Sequence, residues 1–406
     1  MGITLKNATY VDWESLEFTT TDIQIEGEET AEIDCRGKLV TKAFAVGHHH
    51  VYSALARGMP APPVKPTNFP EILKYIWWSL DKCLDEESIY YSALVTAMAA
   101  AKAGSALVID HHASPNYISG SLDIIARAFD EVGVKHLLCY EITDRDGRER
   151  AEAGLEETGQ HLKKRPGLVG LHASFTVGDE TLYRAVNLMK ETNSGIHMHV
   201  AEDLSDQEHC LKNYRKRVVQ RLSEAGVLNS PKTILVHGLH LEGQEREIIQ
   251  QSPCWVAQNM ESNLKNKVGF FNGVGLGHRV MLGTDGMHGD MLQSLKAAFF
   301  VGQKFDALDP AAAYQRFRNA NRYAAQNFPG SNENDLVVLD YDHPTKINKE
   351  NFIGHLLFGI NSSHVRDVIA GGRLVVRDRV IQTVDQEAVL AESREVASRL
   401  WKRMWK

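Results

Sequence analysis

Three consecutive histidines, His48, His49 and His50, are the first residues of the chain whose types and spacing could do chemistry. They follow the apolar run 44–46, which predicts a short buried strand. Because side chains alternate between the two faces of a strand, His48 and His50 should point to one side and His49 to the other. Two imidazoles on one face supply half of a metal site, and two core histidines would give the same pattern. A metal site therefore requires further ligands elsewhere in the chain.

Ionisable and amide side chains recur directly after later apolar runs. They are Asp110, His111, His112, Glu141, His172, His199, Glu202, His237, Asn259 and Asp285. Any one of them would be ordinary as a hydrogen-bonded core residue. A set that follows nearly every run instead indicates an active site at one common edge of the fold.

The apolar runs recur with a spacing that is typical of βα units. Eight of them begin at residues 44, 106, 135, 168, 195, 233, 254 and 279. From the third run onward, each begins 21 to 38 residues after the one before it, and a helical segment fits each interval. Eight buried parallel strands with crossover helices predict an α/β fold, a (β/α)8 TIM barrel with its active site at the carboxyl ends of the strands.

Both ends of the chain show short stretches in which polar and apolar residues alternate, as in strands joined by turns. Residues 1–41 and 335–384 are predicted to pair into one small β-sandwich domain, since neither end has enough strands for a sheet of its own. Residues 42–334 would then form the barrel. Residues 385–406 predict a C-terminal amphipathic helix that packs on the barrel or on a partner subunit.

The first crossover is much longer than the others. It carries five prolines between residues 60 and 70, followed by Trp77 and Trp78. A long excursion after the first strand would lie over the barrel mouth, which favours a lid or a wall of the substrate pocket. A rigid loop packed by its two tryptophans is the alternative, and the sequence leaves both open.

Four of the strand-end residues suit a mononuclear catalytic metal that keeps one coordination position open for water. These are His48, His50, His199 and Asp285. We expect one divalent ion per subunit, with Zn²⁺ in first place and Fe²⁺ as the alternative. Such an ion lowers the pKa of its bound water toward about 7, which makes a hydroxide nucleophile.

Two further residues could move protons at such a site. His237, together with Asp285, could accept a hydrogen bond or a proton from the attacking water. Glu202 lies three residues beyond His199 and could carry the proton from the nucleophile to the leaving group. His197 shares a face with His199 but lies one layer deeper, so we expect a buried, hydrogen-bonded neighbour there rather than a ligand.

The bulk composition excludes several function classes. The net charge is −7 with both signs interspersed, which argues against nucleic acid or an anionic membrane as the partner. The five scattered cysteines favour a reducing compartment, and neither a signal peptide nor an apolar run of membrane-spanning length is evident, so we expect a cytoplasmic protein. The sequence contains no P-loop, G-x-G-x-x-G, G-x-S-x-G or H-E-x-x-H motif.

The strand-end motifs, taken in order, resemble a known family. They are His48-His49-His50, His199-Val200-Ala201-Glu202, His237-Gly238 and Gly283-Thr284-Asp285-Gly286. This constellation resembles the amidohydrolase superfamily, in particular its amino- and chlorohydrolase (TRZ/ATZ-like) branch with one divalent metal. Segments 77–81, 85–92, 108–115 and 201–204 are similar to the SsnA group of aminohydrolases. The resemblance covers nearly the whole chain and implies the same metal ligands, with proton transfer and water orientation by Glu202 and His237.

The resemblance also bears on substrate binding. His172 matches a position that lines the substrate pocket in the family, and Asn259 matches a strand-seven position near the mouth. With His112 after the second strand, these residues are the predicted substrate contacts. The family members with two metals carry a lysine at the end of strand four, where this chain has His172, which favours one metal.

Three functions are consistent with these residues. The first is hydrolytic deamination of a nitrogen heterocycle, an aminohydrolase reaction on a small-molecule substrate. The second is hydrolysis of a cyclic amide or a carbon–halogen bond at the same site. The third is an inactive barrel that serves in binding or assembly, which is disfavoured because every expected position is filled. A homo-oligomer, a dimer, is the expected assembly.

Overall fold

The computed structural model describes residues 1–27, 29–330 and 334–404. These residues contain sixteen strands. In chain order they are β1 (Gly2–Val11), β2 (Phe18–Glu26), β3 (Ala31–Asp34), β4 (Leu39–Lys42), β5 (Phe44–His49), β6 (Ser105–Asp110), β7 (Lys135–Leu137), β8 (Val169–Ala173), β9 (Ile196–Val200), β10 (Ile234–His237), β11 (Trp255–Gln258), β12 (Val280–Leu282), β13 (Leu336–Leu339), β14 (Val365–Ala370), β15 (Arg373–Arg377) and β16 (Val380–Ile381).

The same residues contain fourteen α-helices. They are α1 (Phe69–Ile72), α2 (Trp78–Asp81), α3 (Glu86–Lys102), α4 (Ser121–Val132), α5 (Arg148–Lys164), α6 (Asp179–Glu191), α7 (Leu204–Tyr214), α8 (Val218–Glu224), α9 (Gly243–Gln251), α10 (Met260–Asn266), α11 (Met291–Phe305), α12 (Pro310–Asn327), α13 (Phe352–Phe358) and α14 (Gln386–Met404). A π-helical turn, Leu73–Trp77, joins α1 to α2, and a 3₁₀ segment, Val51–Ala56, follows β5. No helix in the described ranges is long and apolar enough to cross a membrane.

Strands β5 to β12 are the eight parallel strands that the apolar runs predict. Strands β8 to β12 form one sheet in sequential order, and β5, β6 and β7 form another. Isolated bridges connect the two sheets at both seams, between Leu138 and Gly167 and between His49 and Asp285. The arrangement is a TIM barrel, which confirms the predicted fold class.

Apolar side chains fill the barrel on both faces of its strands. Along β6, Leu107 and Ile109 belong to an interior cluster, whereas Ala106 and Val108 pack toward the helices. This two-sided burial explains why the runs are continuously apolar rather than alternating. Helix α12 joins the interior cluster through Tyr323, whose hydroxyl donates to the carbonyl oxygen of Lys232.

The remaining eight strands come from the two ends of the chain and form one continuous sheet. Its order is β16-β15-β14-β13-β4-β1-β2, with β3 paired to β1. The pairing of β13 with β4, from Leu336 opposite Lys42, joins the two ends. Ile25 of β2 and Leu374 of β15 share one core although they are distant in strand order, so the sheet curls around its own apolar interior. The expected sandwich is thus built from one hydrogen-bonded sheet.

The C-terminal helix α14 packs beside the segment that follows the histidine triplet. Its buried face includes Val396, Leu400 and Met404, as the amphipathic pattern predicts. Trp401 Nε1 donates to the carbonyl oxygen of Leu55 at 2.8 Å, and Arg403 lies 2.8 Å from Asp85. The last two residues of the predicted helix, 405 and 406, lie outside the described residues.

Candidate metal centre and active site

The first and last barrel strands bring the histidine triplet against Asp285. Oδ1 of Asp285 lies 3.5 Å from Nε2 of His48 and 3.1 Å from Nε2 of His50. His199, at the end of β9, approaches the same point, with its Nε2 3.1 Å from Nε2 of His50. His49 points elsewhere, and its Nδ1 lies 2.8 Å from the hydroxyl of Thr284. The structure therefore separates the triplet as strand alternation predicts.

Close backbone packing makes this convergence possible. A side chain at Gly283 would begin 2.4 Å from Oδ1 of Asn259 and 2.9 Å from Cβ of His48. Both distances are shorter than any van der Waals contact, so a larger residue would push β12 away from β5. Glycine at this position lets Asp285 reach the two histidines.

Three strand ends leave the barrel in the left-handed backbone region. They are Ala201 after β9, His237 at the end of β10 and Asp285 after β12, with φ values of 46°, 71° and 51°. This conformation costs free energy for a residue with a Cβ and is concentrated at functional sites. Here the left-handed backbone occurs at His237 and Asp285, and at Ala201 directly before Glu202, all next to the cluster.

The hydrogen bonds behind the histidines determine which ring nitrogens face the cluster as acceptors. Nδ1 of His50 donates to the carbonyl oxygen of His111 at 2.6 Å, and Nδ1 of His199 donates to that of His172 at 2.9 Å. In neutral rings each Nε2 atom then carries a lone pair, and the two Nε2 atoms lie 3.1 Å apart. Two lone pairs at this distance repel unless a cation lies between them.

The cluster fits a divalent metal ion. Buried Nε2 atoms of His48 and His237 have no hydrogen-bond partner among the described residues. Possible ligand atoms of His48, His199, His237 and Asp285 all lie within 4.8 Å of one another, and so do those of His50, His111 and His199. Tetrahedral zinc with Zn–N bonds of about 2.0–2.1 Å places its ligand atoms about 3.3 Å apart, close to the His50–His199 and Asp285 separations.

The electrostatics of the cluster also call for a cation. Burial would raise the pKa of Asp285, but the adjacent imidazoles of His48 and His50 hold it well below its usual value, so the carboxylate is charged. Burial would lower the pKa of His50, but Asp285 raises it to about 9 through a hydrogen bond and its charge. The buried carboxylate thus favours positive charge at the histidines, whether a proton or a metal supplies it.

Glu202 and His237 lie close together beside the cluster. Nε2 of His237 lies 3.4 Å from Oε2 of Glu202 and 3.9 Å from Oδ2 of Asp285. Burial, reinforced by the negative charge of Asp285, raises the pKa of Glu202 well above its usual value. Burial lowers the pKa of His237 to about 4, so this ring is neutral near pH 7. Glu202 can therefore act as a buried acid.

The proton of His237 is placed by Asn263. Nδ2 of Asn263 donates to Nδ1 of His237 at 2.8 Å, which leaves the ring proton on Nε2. His237 can then donate a hydrogen bond from Nε2 to an oxygen that lies between Glu202 and Asp285.

The second oxygen of Asp285 accepts a hydrogen bond from Ser262 Oγ at 2.5 Å, which fixes the carboxylate.

A cavity opens directly above the cluster. Its floor is formed by His50, His199, Glu202, His237 and Asp285. The opposite wall comes from the end of the first crossover, whose aromatic and apolar side chains line the cavity. These are Phe69, Leu73, Trp77 and Trp78. The end of the crossover therefore lines the pocket, and its two tryptophans also pack against Phe69 and Leu73, so both interpretations of the sequence describe part of this segment.

The predicted substrate contacts divide into one at the cavity and two away from it. His172 lines the cavity, and its Nδ1 is held 2.6 Å from the hydroxyl of Thr176. The described lining does not include His112 or Asn259. His112 turns to the hydroxyl of Ser114 at 2.9 Å, and Asn259 is packed behind Gly283, so neither side chain faces this cavity.

Several cavity residues were missed by sequence reasoning. Ser262, Lys265 and Asn266 line one side of the cavity, and their spacing of three and four residues places them on one face of α10. That spacing after the seventh strand was the available signal. The Lys265 ammonium lies 4.9 Å from the ring of Trp77 on the opposite wall.

The segment after the third barrel strand and the end of α2 together contribute a charged wall, of which the sequence indicated only Glu141. Asp81 and Glu141 line the cavity and both pair with the buried guanidinium of Arg145, with Glu141 at 2.6 Å and Asp81 at 2.5 Å. Burial would raise the pKa of Glu141, but His172 and Arg145 hold it well below its usual value. Burial raises the pKa of Asp81 to about 7.

Curated relatives are similar over most of their length. One is a 5-methylthioadenosine/S-adenosylhomocysteine deaminase from Syntrophomonas wolfei subsp. wolfei, 28% identical over 399 residues, which covers 92% of this chain and 90% of the relative. Another is a 5'-deoxyadenosine deaminase from Methanopyrus kandleri, 28% identical over 347 residues, which covers 80% of this chain and 78% of the relative.

Solved structures share the fold. An adenosine deaminase from Xanthomonas campestris with bound zinc superposes with a TM-score of 0.82 and 18% identity, covering 99% of both chains. The atrazine chlorohydrolase TrzN from Arthrobacter aurescens TC1, complexed with zinc, gives a TM-score of 0.80 and 15% identity, covering 97% of this chain and all of the other. The sequence model of the amidohydrolase family matches residues 43–324, which is the barrel and its strand-end cluster. The predicted resemblance is confirmed, and the chain belongs to the amidohydrolase family.

Proposed function

We propose that this protein is a metal-dependent aminohydrolase that removes an amino group from a nitrogen heterocycle as ammonia. The observation that carries the proposal is the buried Glu202, whose pKa burial raises, beside His237 and Asp285 and next to a histidine cluster that fits a divalent ion. A buried acid next to a site for an activated water is what hydrolytic removal of an amine requires.

The chain's residues would divide the work as follows. His48, His50, His199 and Asp285 would hold the metal, which when bound acidifies a water molecule so that it can attack a heterocyclic carbon near pH 7. Asp285, with one oxygen fixed by Ser262, is placed to accept a proton from that water.

Glu202 would donate its proton to the ring nitrogen of the substrate. The proton that Asp285 accepts from the water would pass to the amine, which leaves as ammonia, and the hydroxyl proton of the addition product would return to Glu202. His237, with its proton on Nε2, would donate a hydrogen bond to the oxygen on which negative charge develops. Because Glu202 must be protonated, turnover should fall as the pH rises through its elevated pKa.

Adenosine-type nucleosides are the proposed substrate class. The curated relatives carry the names of deaminases for 5-methylthioadenosine, S-adenosylhomocysteine and 5'-deoxyadenosine. The aromatic wall of Trp77 and Trp78, opposite the cluster, suits a planar heterocycle, since aromatic rings pack well against one another.

Zinc is the proposed ion. Three imidazoles and one carboxylate are typical zinc ligands, and the Nε2 atoms of His48 and His50 lie 3.5 Å and 3.1 Å from Asp285, with that of His199 3.1 Å from His50. Fe²⁺ would accept the same ligands and is the alternative to test. The dimeric state and the cytoplasmic location stay predictions from the sequence.

The proposal is tested by metal reconstitution and an ammonia assay. The full chain, stripped with a chelator and reloaded with Zn²⁺ or Fe²⁺, is incubated with adenosine, 5'-deoxyadenosine, 5-methylthioadenosine, and amino- and chloro-substituted pyrimidines and triazines. Ammonia release from an adenosine-type compound by the loaded protein, and its absence from the stripped protein, would support the proposal. Release of chloride without ammonia, or no release from any compound by a protein that retains metal, would contradict it.

A further inference from the structure

His197 connects a metal-facing histidine to a buried thiol. It lies on β9 two residues before His199 and is fully buried. Its Nε2 is 2.9 Å from Nδ1 of His48, and its Nδ1 is 3.5 Å from Sγ of Cys139. His48, His197 and Cys139 therefore form a continuous row of polar groups that begins at the metal centre and ends inside the barrel.

His48 is supported differently from the other two histidines of the centre. His50 and His199 each donate Nδ1–H to a backbone carbonyl oxygen, which accepts and cannot donate. Their tautomers are thereby fixed, with the Nε2 lone pair toward the cluster. His48 faces instead the ring of His197, which can either accept or donate.

The protons along this row can be placed in two ways that have the same net charge. In the first, His48 carries its proton on Nδ1 and donates it to Nε2 of His197, so Nε2 of His48 has a free lone pair. In the second, His197 donates to His48, whose own proton then sits on Nε2 and faces Asp285. A metal can bind His48 only in the first arrangement, because ligation needs the lone pair.

Cys139 selects between the two arrangements. Its Sγ lies 3.3 Å from the carbonyl oxygen of Asp110, to which the thiol donates its proton. The sulfur then presents lone pairs to His197 and accepts Nδ1–H. A neutral His197 with its proton on Nδ1 has its lone pair on Nε2, and it accepts the proton of His48 Nδ1.

We propose that Cys139 is a positioning residue that acts through His197 to hold His48 in the tautomer that binds the metal. The inference rests on the proposed metal-dependent function. It assigns a role to a buried thiol that does not touch the metal, the substrate or the reacting atoms. For His48, the row of His197 and Cys139 takes the place of the backbone carbonyl oxygen that fixes the tautomer of His50 and of His199.

The affinity for Zn²⁺ tests this proposal without any assay of activity. The metal-depleted full chain is titrated with Zn²⁺ in competition with a chromophoric chelator. Cys139→Ala removes the acceptor for His197, and we expect the dissociation constant to rise about tenfold, the lower end of the range for lost partners of metal ligands. Cys139→Ser retains a donor and an acceptor and should bind within about threefold of the wild type.

Cys254→Ala is the matched control. Cys254 is similarly buried, with its Sγ 2.7 Å from the hydroxyl of Ser252, but it lies outside the row. Its replacement should leave Zn²⁺ affinity unchanged. In nitrogen NMR spectra of the metal-free protein, Cys139→Ala should also move the proton of His197 from Nδ1 to Nε2, whereas a merely structural loss would leave the tautomer unaltered.

The outcomes separate the two proposals. Wild-type affinity in Cys139→Ala, an equal loss in Cys254→Ala, or a Cys139→Ser variant as weak as Cys139→Ala would overturn the role of Cys139 while leaving the metal-dependent function intact. A wild-type protein that binds no Zn²⁺ would overturn both. A selective loss in Cys139→Ala, restored in Cys139→Ser and accompanied by the tautomer shift, would support it.

Discussion

The barrel packs histidines at both of its ends, but among the residues that the structure describes only the histidines at the mouth converge as a possible metal site. At the lower end, His136 lies on β7, and His161 lies on α5 with its ring close to Gly167, just before β8. Burial lowers the pKa of each to about 4, as it does for His237 at the mouth. Burial and a lowered pKa are therefore common to both ends and do not distinguish them.

The difference lies in the hydrogen bonds and charges around the rings. Neither ring nitrogen of His161 has a hydrogen-bond partner among the described residues, and His136 lies 3.9 Å from the half-exposed Asp130. At the mouth, carbonyl oxygens accept Nδ1–H from His50 and His199, and the buried Asp285 supplies negative charge. Oriented nitrogen lone pairs and a buried carboxylate together make the mouth, and not the lower end, suited to hold a metal ion.

The largest expected effect follows from removing a ligand at the mouth. His50→Ala should abolish binding of the metal and lower turnover by about 10³-fold or more, since the ion supplies several kcal/mol of stabilisation to the transition state. Metal content is measured by elemental analysis and turnover by ammonia release. His49→Ala is the matched control, because His49 points to Thr284, and it should retain the metal. A His50→Ala protein with full metal content would contradict the proposal that His50 at the mouth is a metal ligand.

The next effect concerns the acid rather than the ligands. Glu202→Gln should retain the metal and lose about 10²- to 10⁴-fold in turnover, the usual contribution of a general acid. The measurement pairs metal content with steady-state ammonia release. Glu242→Gln, an exposed glutamate on the surface, is the control and should behave like the wild type. Full activity in Glu202→Gln would remove Glu202 from the mechanism.

The histidines at the lower end should make the free energy of unfolding depend on pH in the acid range. The pKa of His161 falls from 6.5 to about 4 on folding, so the unfolded chain binds more protons between these pH values, and stability is lost as the pH falls through that window. The shift corresponds to about 3 kcal/mol at pH 4. His161→Leu should flatten the pH dependence of the unfolding free energy between pH 6.5 and 4, measured by urea titration, without changing the affinity for Zn²⁺.

The matched control for this prediction is the exposed His278, whose replacement by leucine should leave the slope as in the wild type. A slope that His161→Leu does not change would show that this histidine is not responsible for acid sensitivity. Loss of Zn²⁺ affinity in the same variant would mean that the two ends are coupled.

The smallest effect concerns the orientation of Asp285. Ser262→Ala removes the hydrogen bond to Oδ2, and turnover should fall about tenfold, as expected for one hydrogen bond to a charged group. The variant should retain its metal, because the histidine ligands and Oδ1 are unchanged. Ser252→Ala, remote from the site, is the control. Unchanged turnover in Ser262→Ala would show that the histidines alone orient the carboxylate.

The outcome for individual residues shows how far sequence reasoning reached. The eight strands and the converging residues His48, His50, His199, Glu202 and Asp285 could be predicted, because strand periodicity and strand-end position are local properties of the chain. The same rule was insufficient for His112 and Asn259. Both follow barrel strands, but a residue at a strand end can turn toward a neighbouring loop as well as toward the mouth.

Contacts that join distant segments could not be read from spacing. Asp81 and Glu141 are 60 residues apart and meet at the guanidinium of Arg145. Lys265 faces Trp77 across the cavity. Such pairs depend on how the crossovers fold over the barrel, which no periodicity in the sequence encodes.

The sequence by itself determined the barrel, the order of its ligands along the chain and the side of the strand on which His48 and His50 lie. It could do so because these properties follow from the alternation of side chains and the recurrence of buried strands. Only the tertiary structure decided which ring nitrogens face one another, because the acceptors that fix them are backbone carbonyls and a thiol from other strands. The chemistry of the centre depends on those lone pairs, and their direction is a property of the folded barrel.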